Sequence, residues 1–218
     1  MNGQAAAALL AAAVAAACGI YVAVTARRTG RLQAPFACWA IGFGLFAVAD
    51  LALAYGAARG WDAASFRLYY LTGGILVVPY LAVGELLLVA PGRRITRLTV
   101  ATLLWLTFAS TAAVLAADVS EAKLANAGAT PPNSAMGGPW TTILAIALNS
   151  AGTVVLLAGS IASARRRHDP RPLLVAVGIG VVALGATATR FGSYGLFALT
   201  QAVGVTLMML GLVLRRHR

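Results

Sequence analysis

Two carboxylates stand inside long apolar runs, Asp50 within residues 34–57 and Glu85 within 66–90. In hydrocarbon an ionisable side chain costs about 2.5–3.5 kcal/mol on insertion scales, so each needs a partner or a task such as proton relay or ligand binding. Arg67 and Arg190 are the natural partners for Asp50, because both fall at helix ends on the side of the membrane where basic residues are scarce. Runs 34–57 and 66–90 form a hairpin that sets Asp50 and Arg67 about two turns apart in depth, within reach of a long side chain. The expectation is a polar cluster of Asp50, Arg67 and Arg190 near the outer face. A plainer reading has Asp50 pinned by one arginine, with Trp39, Phe43 and Phe46 on the same helical face as ordinary packing.

Glu85 follows Arg67 by about five full turns, so on a regular helix both point the same way, roughly 27 Å apart. The face between them carries Tyr70, Gly74, Val78 and Leu81. Pro79 interrupts it, removing an N–H, freeing the carbonyl of Ile75 and bending the rod. A polar group at each end with a bend between could line a path; equally, Glu85 pairs with Arg93, Arg94 or Arg28 at the nearby helix ends. Two more polar residues lie deep in apolar runs. Asn149 continues through Gly152, Thr153, Leu156 and Ser160, and Gln201 shares a face with Tyr194, Phe197 and Met208. For both, and for Tyr69, Tyr70, Tyr80 and Trp105, interhelical bonding competes with a role in a pocket.

Absences narrow the chemistry. The histidines are His168 and His217, both in basic clusters, which leaves no paired haem ligands or three-histidine zinc site in the bundle. Lys123 is the sole lysine and lies in a loop, so a retinal Schiff base has no attachment point. No Gly-x-Ser-x-Gly, Walker or aspartate-rich motif is present. The expectation is a protein without catalysis, cofactor or metal. Cys18 and Cys38 read as small packing residues within their helices.

The elements that must hold these residues are transmembrane helices. With 60% apolar residues, 11% charged and a mean hydropathy of +0.83, the chain cannot alternate core and surface as a soluble fold does. Apolar runs over 5–26, 34–57, 66–90, 95–117, 140–163, 171–189 and 192–214 are each long enough to cross ~30 Å of hydrocarbon. The first lacks a basic start and exceeds a signal-peptide core, so it reads as a helix that stays. Thirteen of the 17 basic residues fall in four clusters: Arg27, Arg28, Arg31; Arg93, Arg94, Arg97; Arg165, Arg166, Arg167, Arg171; and Arg215, Arg216, Arg218. Clusters at alternate helix ends set seven spans with the N-terminus outside and the C-terminus in the cytoplasm. The net charge of +11 then serves insertion and contact with anionic lipid headgroups rather than nucleic acid.

The fold expected is an all-α, single-domain seven-helix bundle over 1–218, multi-pass in a bacterial cell membrane, its arginine and alanine richness typical of a high-GC genome. Cytoplasmic loops 27–33, 91–94 and 165–170 are too short for a domain. The external loop 118–139 predicts one short helix over 119–126, capped by Asp118 with Glu121 reaching back. Trp61 and Trp140 are placed at the outer headgroup level.

The phrases FACWAIGFGLFAVADLAL and FRLYYLTGGILVVPYLAVGELLLVAPGRR, within Phe36–Arg94, resemble a group of uncharacterised seven-helix proteins of high-GC bacteria. More distantly they are similar to the seven-helix sensor modules at the N-termini of some histidine kinases. That resemblance implies sensing; since no kinase segment follows Arg218, a signal would pass to a protein partner. Three classes of function follow: a receptor-like or regulatory protein sensing a lipid or small molecule, a solute or proton-coupled carrier using Asp50 and Glu85, and an envelope assembly factor.

Overall fold

The computed structural model describes residues 3–28, 33–128, 131–188 and 194–213. Its helices are α1 (Gly3–Arg28), α2 (Ala34–Arg59), α3 (Ala63–Val89), α4 (Arg93–Ala116), α5 (Glu121–Ala125), α6 (Pro139–Arg167), α7 (Leu173–Ala188) and α8 (Tyr194–Val213). Every long apolar run of the sequence is one helix. Five of them, α1, α2, α3, α4 and α6, are long and apolar enough to cross a membrane. The arginines at the C-terminus of α1, the N-terminus of α4 and the C-terminus of α6 gather at one end of the bundle, here the basic end.

Six helices form a closed ring in the order α1, α2, α3, α6, α7, α8, with α8 returning to α1. Sequence neighbours account for most seams, but α3 pairs with α6, and α4 stands outside the ring against those two. Small residues bring the helices close. A Cβ on Gly84 of α3 would come within 2.5 Å of the Trp39 ring on α2, and one on Gly178 of α7 within 2.5 Å of the Gly204 carbonyl on α8. In a bundle whose outside is apolar, such close van der Waals packing replaces the hydrophobic drive.

Helix α3 is irregular. Residues Tyr70–Leu76 form a π-helical stretch, in which the Val77 N–H reaches back five residues to the Thr72 carbonyl. Pro79 follows within one turn, so two departures from α geometry adjoin. The wider turn advances the chain by about one extra residue, and residues beyond it no longer share a face with those before it.

The far end differs from expectation in three details. The short helix covers only Glu121–Ala125, with Ser120 at its N-cap and no side-chain cap bond. Asp118 is drawn into a clasp instead: its carbonyl accepts from Gly137 N–H at 2.7 Å, and Ser120 N–H donates to Ala135 at 2.9 Å. That pairing leaves the Asp118 backbone outside any helix start. The capping box lies elsewhere, at the start of α3, where Ser65 N–H donates to Asp62 Oδ1 at 2.7 Å and Asp62 N–H to Ser65 Oγ at 3.2 Å. These bonds, Ser65 N–H foremost, hold the Asp62 carboxyl below its ordinary range. Trp61 is not at the lipid boundary but buried, its ring against Gly56, Phe66 and Tyr69. Trp140 is 69% exposed.

Candidate functional site

The centre of the ring holds a cavity of about 290 Å³. Phe46 of α2, Gly73 and Val77 of α3, Asn149, Thr153 and Leu156 of α6, Val182 of α7, and Phe197 and Gln201 of α8 are among its walls. All ring helices but α1 reach it. Toward the basic end the wall runs onto Leu81, Leu156 and Met208, which belong to one buried hydrophobic cluster. Its polar side lies toward the far end, on α6 and α8.

Asn149 is held by the irregular helix. Its Nδ2 donates to the Gly74 carbonyl at 2.6 Å and to Ala145 in its own helix at 2.7 Å. Gly74 lies in the π stretch, where widened backbone and a proline without an N–H unsettle the usual pairing of carbonyls. A side-chain donor from the neighbouring helix meets the need. Both Asn149 N–H bonds are thereby spent, and its oxygen remains. Gln201, 8% exposed, stands across on α8, and its Oε1 has no hydrogen-bond partner among the described residues.

The two carboxylates bracket this cavity. Asp50 is 1% exposed and lies one turn beyond Phe46 toward the far end. It is level with Gly73, since a Cβ there would meet the Ala49 side chain at 2.9 Å. Neither Asp50 oxygen has a hydrogen-bond partner among the described residues, and Tyr69 lies within electrostatic range. Glu85 is 0% exposed, one turn beyond Leu81 toward the basic end, against Gly159 of α6. From Gly73 to Glu85 is about a dozen residues, roughly 18 Å of helix.

Among the described residues, Asp50 and Arg67 of the expected outer cluster do not pair. The Arg67 Nη2 donates instead to the Ala117 carbonyl at 2.9 Å. That carbonyl ends α4, where unpaired acceptors and the helix dipole favour a cation. Arg190 lies outside the described residues. Arg67 and Glu85 do not look toward one neighbour either: Arg67 meets α4 and Glu85 meets α6, because the π stretch resets the helical phase between them. Tyr70 faces Thr141 and Thr142 of α6 rather than the cavity.

Other residues fall on the packing side. Trp39 and Phe43 are buried in the α2–α3 core with ring centroids 5.6 Å apart, and of the aromatic stripe Phe46 reaches the cavity. Gly152 sits against Val78. Tyr80 pairs its hydroxyl with Thr107 of α4 at 3.2 Å, and Trp105 is exposed. Sequence reasoning missed Gly73 and Thr153 as walls, and it missed Arg166, whose Nη1 donates to the Val89 carbonyl at 3.2 Å and caps α3. Backbone acceptors leave no trace in a residue string. Among the described residues no three His, Cys, Asp or Glu side chains come together.

Fold and cavity thus define an all-helical bundle of membrane-spanning character around a small, mainly apolar chamber. No protein family, characterised protein or solved structure matches the chain.

Proposed function

We propose that the chain is an integral membrane protein of the bacterial cell membrane that crosses the bilayer seven times, N-terminus outside and C-terminus in the cytoplasm. Its role is receptor-like or regulatory: it senses a lipid or small molecule in the central cavity and acts through a protein partner. The cavity carries this reading. It is of ligand size, walled by five helices, polar toward the far end and bounded by Leu81, Leu156 and Met208 toward the basic end. A chamber bounded on that side suits a ligand that binds and is released by the same route. Exposed Arg27, Arg28, Arg93, Arg94 and Arg165 at the basic end support the orientation and contact with anionic headgroups.

One observation favours a carrier as second reading: Asp50 and Glu85 are both fully buried, Asp50 level with the cavity wall at Gly73 and Glu85 one turn beyond Leu81. Native mass spectrometry of the protein in mild detergent separates the classes. A stoichiometric small molecule, lost on collisional activation, is the expected result. A partner protein without a small molecule would turn the reading toward assembly. Should proteoliposomes accumulate the released molecule in response to a proton gradient, and Asp50→Asn abolish this, the carrier reading replaces sensing.

A further inference from the structure

The geometry points to the class of ligand: a compact apolar molecule of about a dozen non-hydrogen atoms carrying one hydroxyl head, which docks on Gln201 and Asn149. This rests on the reading of the cavity as a ligand site. Size comes first. A cavity of roughly 150 Å³ holds benzene, with six heavy atoms, so one of about 290 Å³ holds about twice that number. A phospholipid or a folded peptide is therefore too large, and single water molecules gain little from walls such as Phe46, Val77, Leu81, Leu156, Val182 and Met208.

Polarity comes second. The polar wall is made of carboxamides and a hydroxyl, and among the described residues no charged side chain lines it. Asn149 has used both donors on backbone carbonyls and keeps an acceptor. Gln201 is more than nine-tenths buried, its Oε1 has no partner among the described residues, and a buried acceptor left unmade is costly. A hydroxyl both donates and accepts, so it satisfies a carboxamide in either orientation. A carboxylate head would set its charge against acceptor oxygens, and an ammonium would leave its charge in an apolar wall.

The test uses the full chain in dodecylmaltoside micelles with 1-decanol and undecane, which have equal numbers of non-hydrogen atoms. Binding is read by native mass spectrometry and by the ligand-dependent rise of the unfolding midpoint. Decanol is expected to form a one-to-one complex with a half-saturation about tenfold below that of undecane, the worth of one net hydrogen bond. In Gln201→Met the two ligands should come within about twofold of each other. Ala183→Phe, which fills the chamber from α7, should abolish both complexes. Equal binding of undecane and decanol by the unaltered protein overturns the hydroxyl assignment while leaving the cavity as a site. Binding of neither removes the site itself, and with it the reading on which this rests. If Gln201→Met does not fold, the alcohol-against-alkane comparison still decides.

Discussion

Helices α3 and α4 are joined by a short turn, are nearly the same length and are almost equally apolar, yet they are built for opposite surroundings. Along its most apolar stretch α3 has 61% of its residues buried and α4 17%. The buried helix is the irregular one: it carries the π stretch, Pro79, the Gly74 carbonyl met by Asn149, and Gly84 under Trp39. The exposed one is regular throughout, with Trp105 and Phe108 pointing outward. Hydropathy measures whether a segment tolerates hydrocarbon; it does not say whether lipid or protein supplies it. Distortion does, because freed backbone groups at membrane depth need protein partners.

Five substitutions probe that contrast. Gly84→Val on α3 should be the most damaging, at about 3 kcal/mol, since its side chain overlaps the Trp39 ring and the Pro35 carbonyl; the unfolding midpoint in detergent measures it. The matching change on α4, Phe108→Ala at a position 74% exposed, should stay within about 0.5 kcal/mol. Comparable losses from both would sink the division between a ring helix and a lipid-facing one. Asn149→Leu should cost about 1–2 kcal/mol and speed amide exchange around Gly74. Unchanged exchange there would mean the π stretch stands without its side-chain donor.

Asp62→Ala should remove about 1 kcal/mol from the start of α3. Because the folded carboxyl sits below its ordinary value of 3.8, the cap's contribution is present above that pH and is lost as pH falls through the folded value. The stability gap between the unaltered protein and Asp62→Ala should therefore close on acidification, and a gap independent of pH would contradict the cap. Tyr80→Phe breaks the hydroxyl contact between α3 and α4 at Thr107 and should cost about 0.6 kcal/mol, read as a midpoint shift.

The helices were legible in the sequence because each needs only a local cause, an apolar run between polar punctuation. Pro79 announces a disturbance in α3, but the π stretch does not show in the sequence: the donor that meets its Gly74 carbonyl, Asn149, comes from a helix 75 residues later. For Arg67 the sequence offers Asp50 as partner, and the structure supplies backbone. Its acceptor is the Ala117 carbonyl, and any residue in that place would offer the same atom. Asp62 was passed over because its reciprocal partner is Ser65 rather than the glutamate that marks most capping boxes. The cavity escaped notice for another reason. Its walls come from five helices, and short loops reveal which helices are consecutive but not that α3 lies beside α6.

The closure of the ring by α1 and α8 also has a meaning in time. The alanine face of α1, with Ala11 against Ala198 and Ala202, is completed by a helix synthesised after every other member of the ring. Until it is paired, a face of methyl-sized side chains neither holds a wrong partner tightly nor exposes a polar group. A leucine at Ala11 would give the waiting helix a grip on whatever passes first. The smallness that permits tight docking at the end also keeps the helix uncommitted at the beginning.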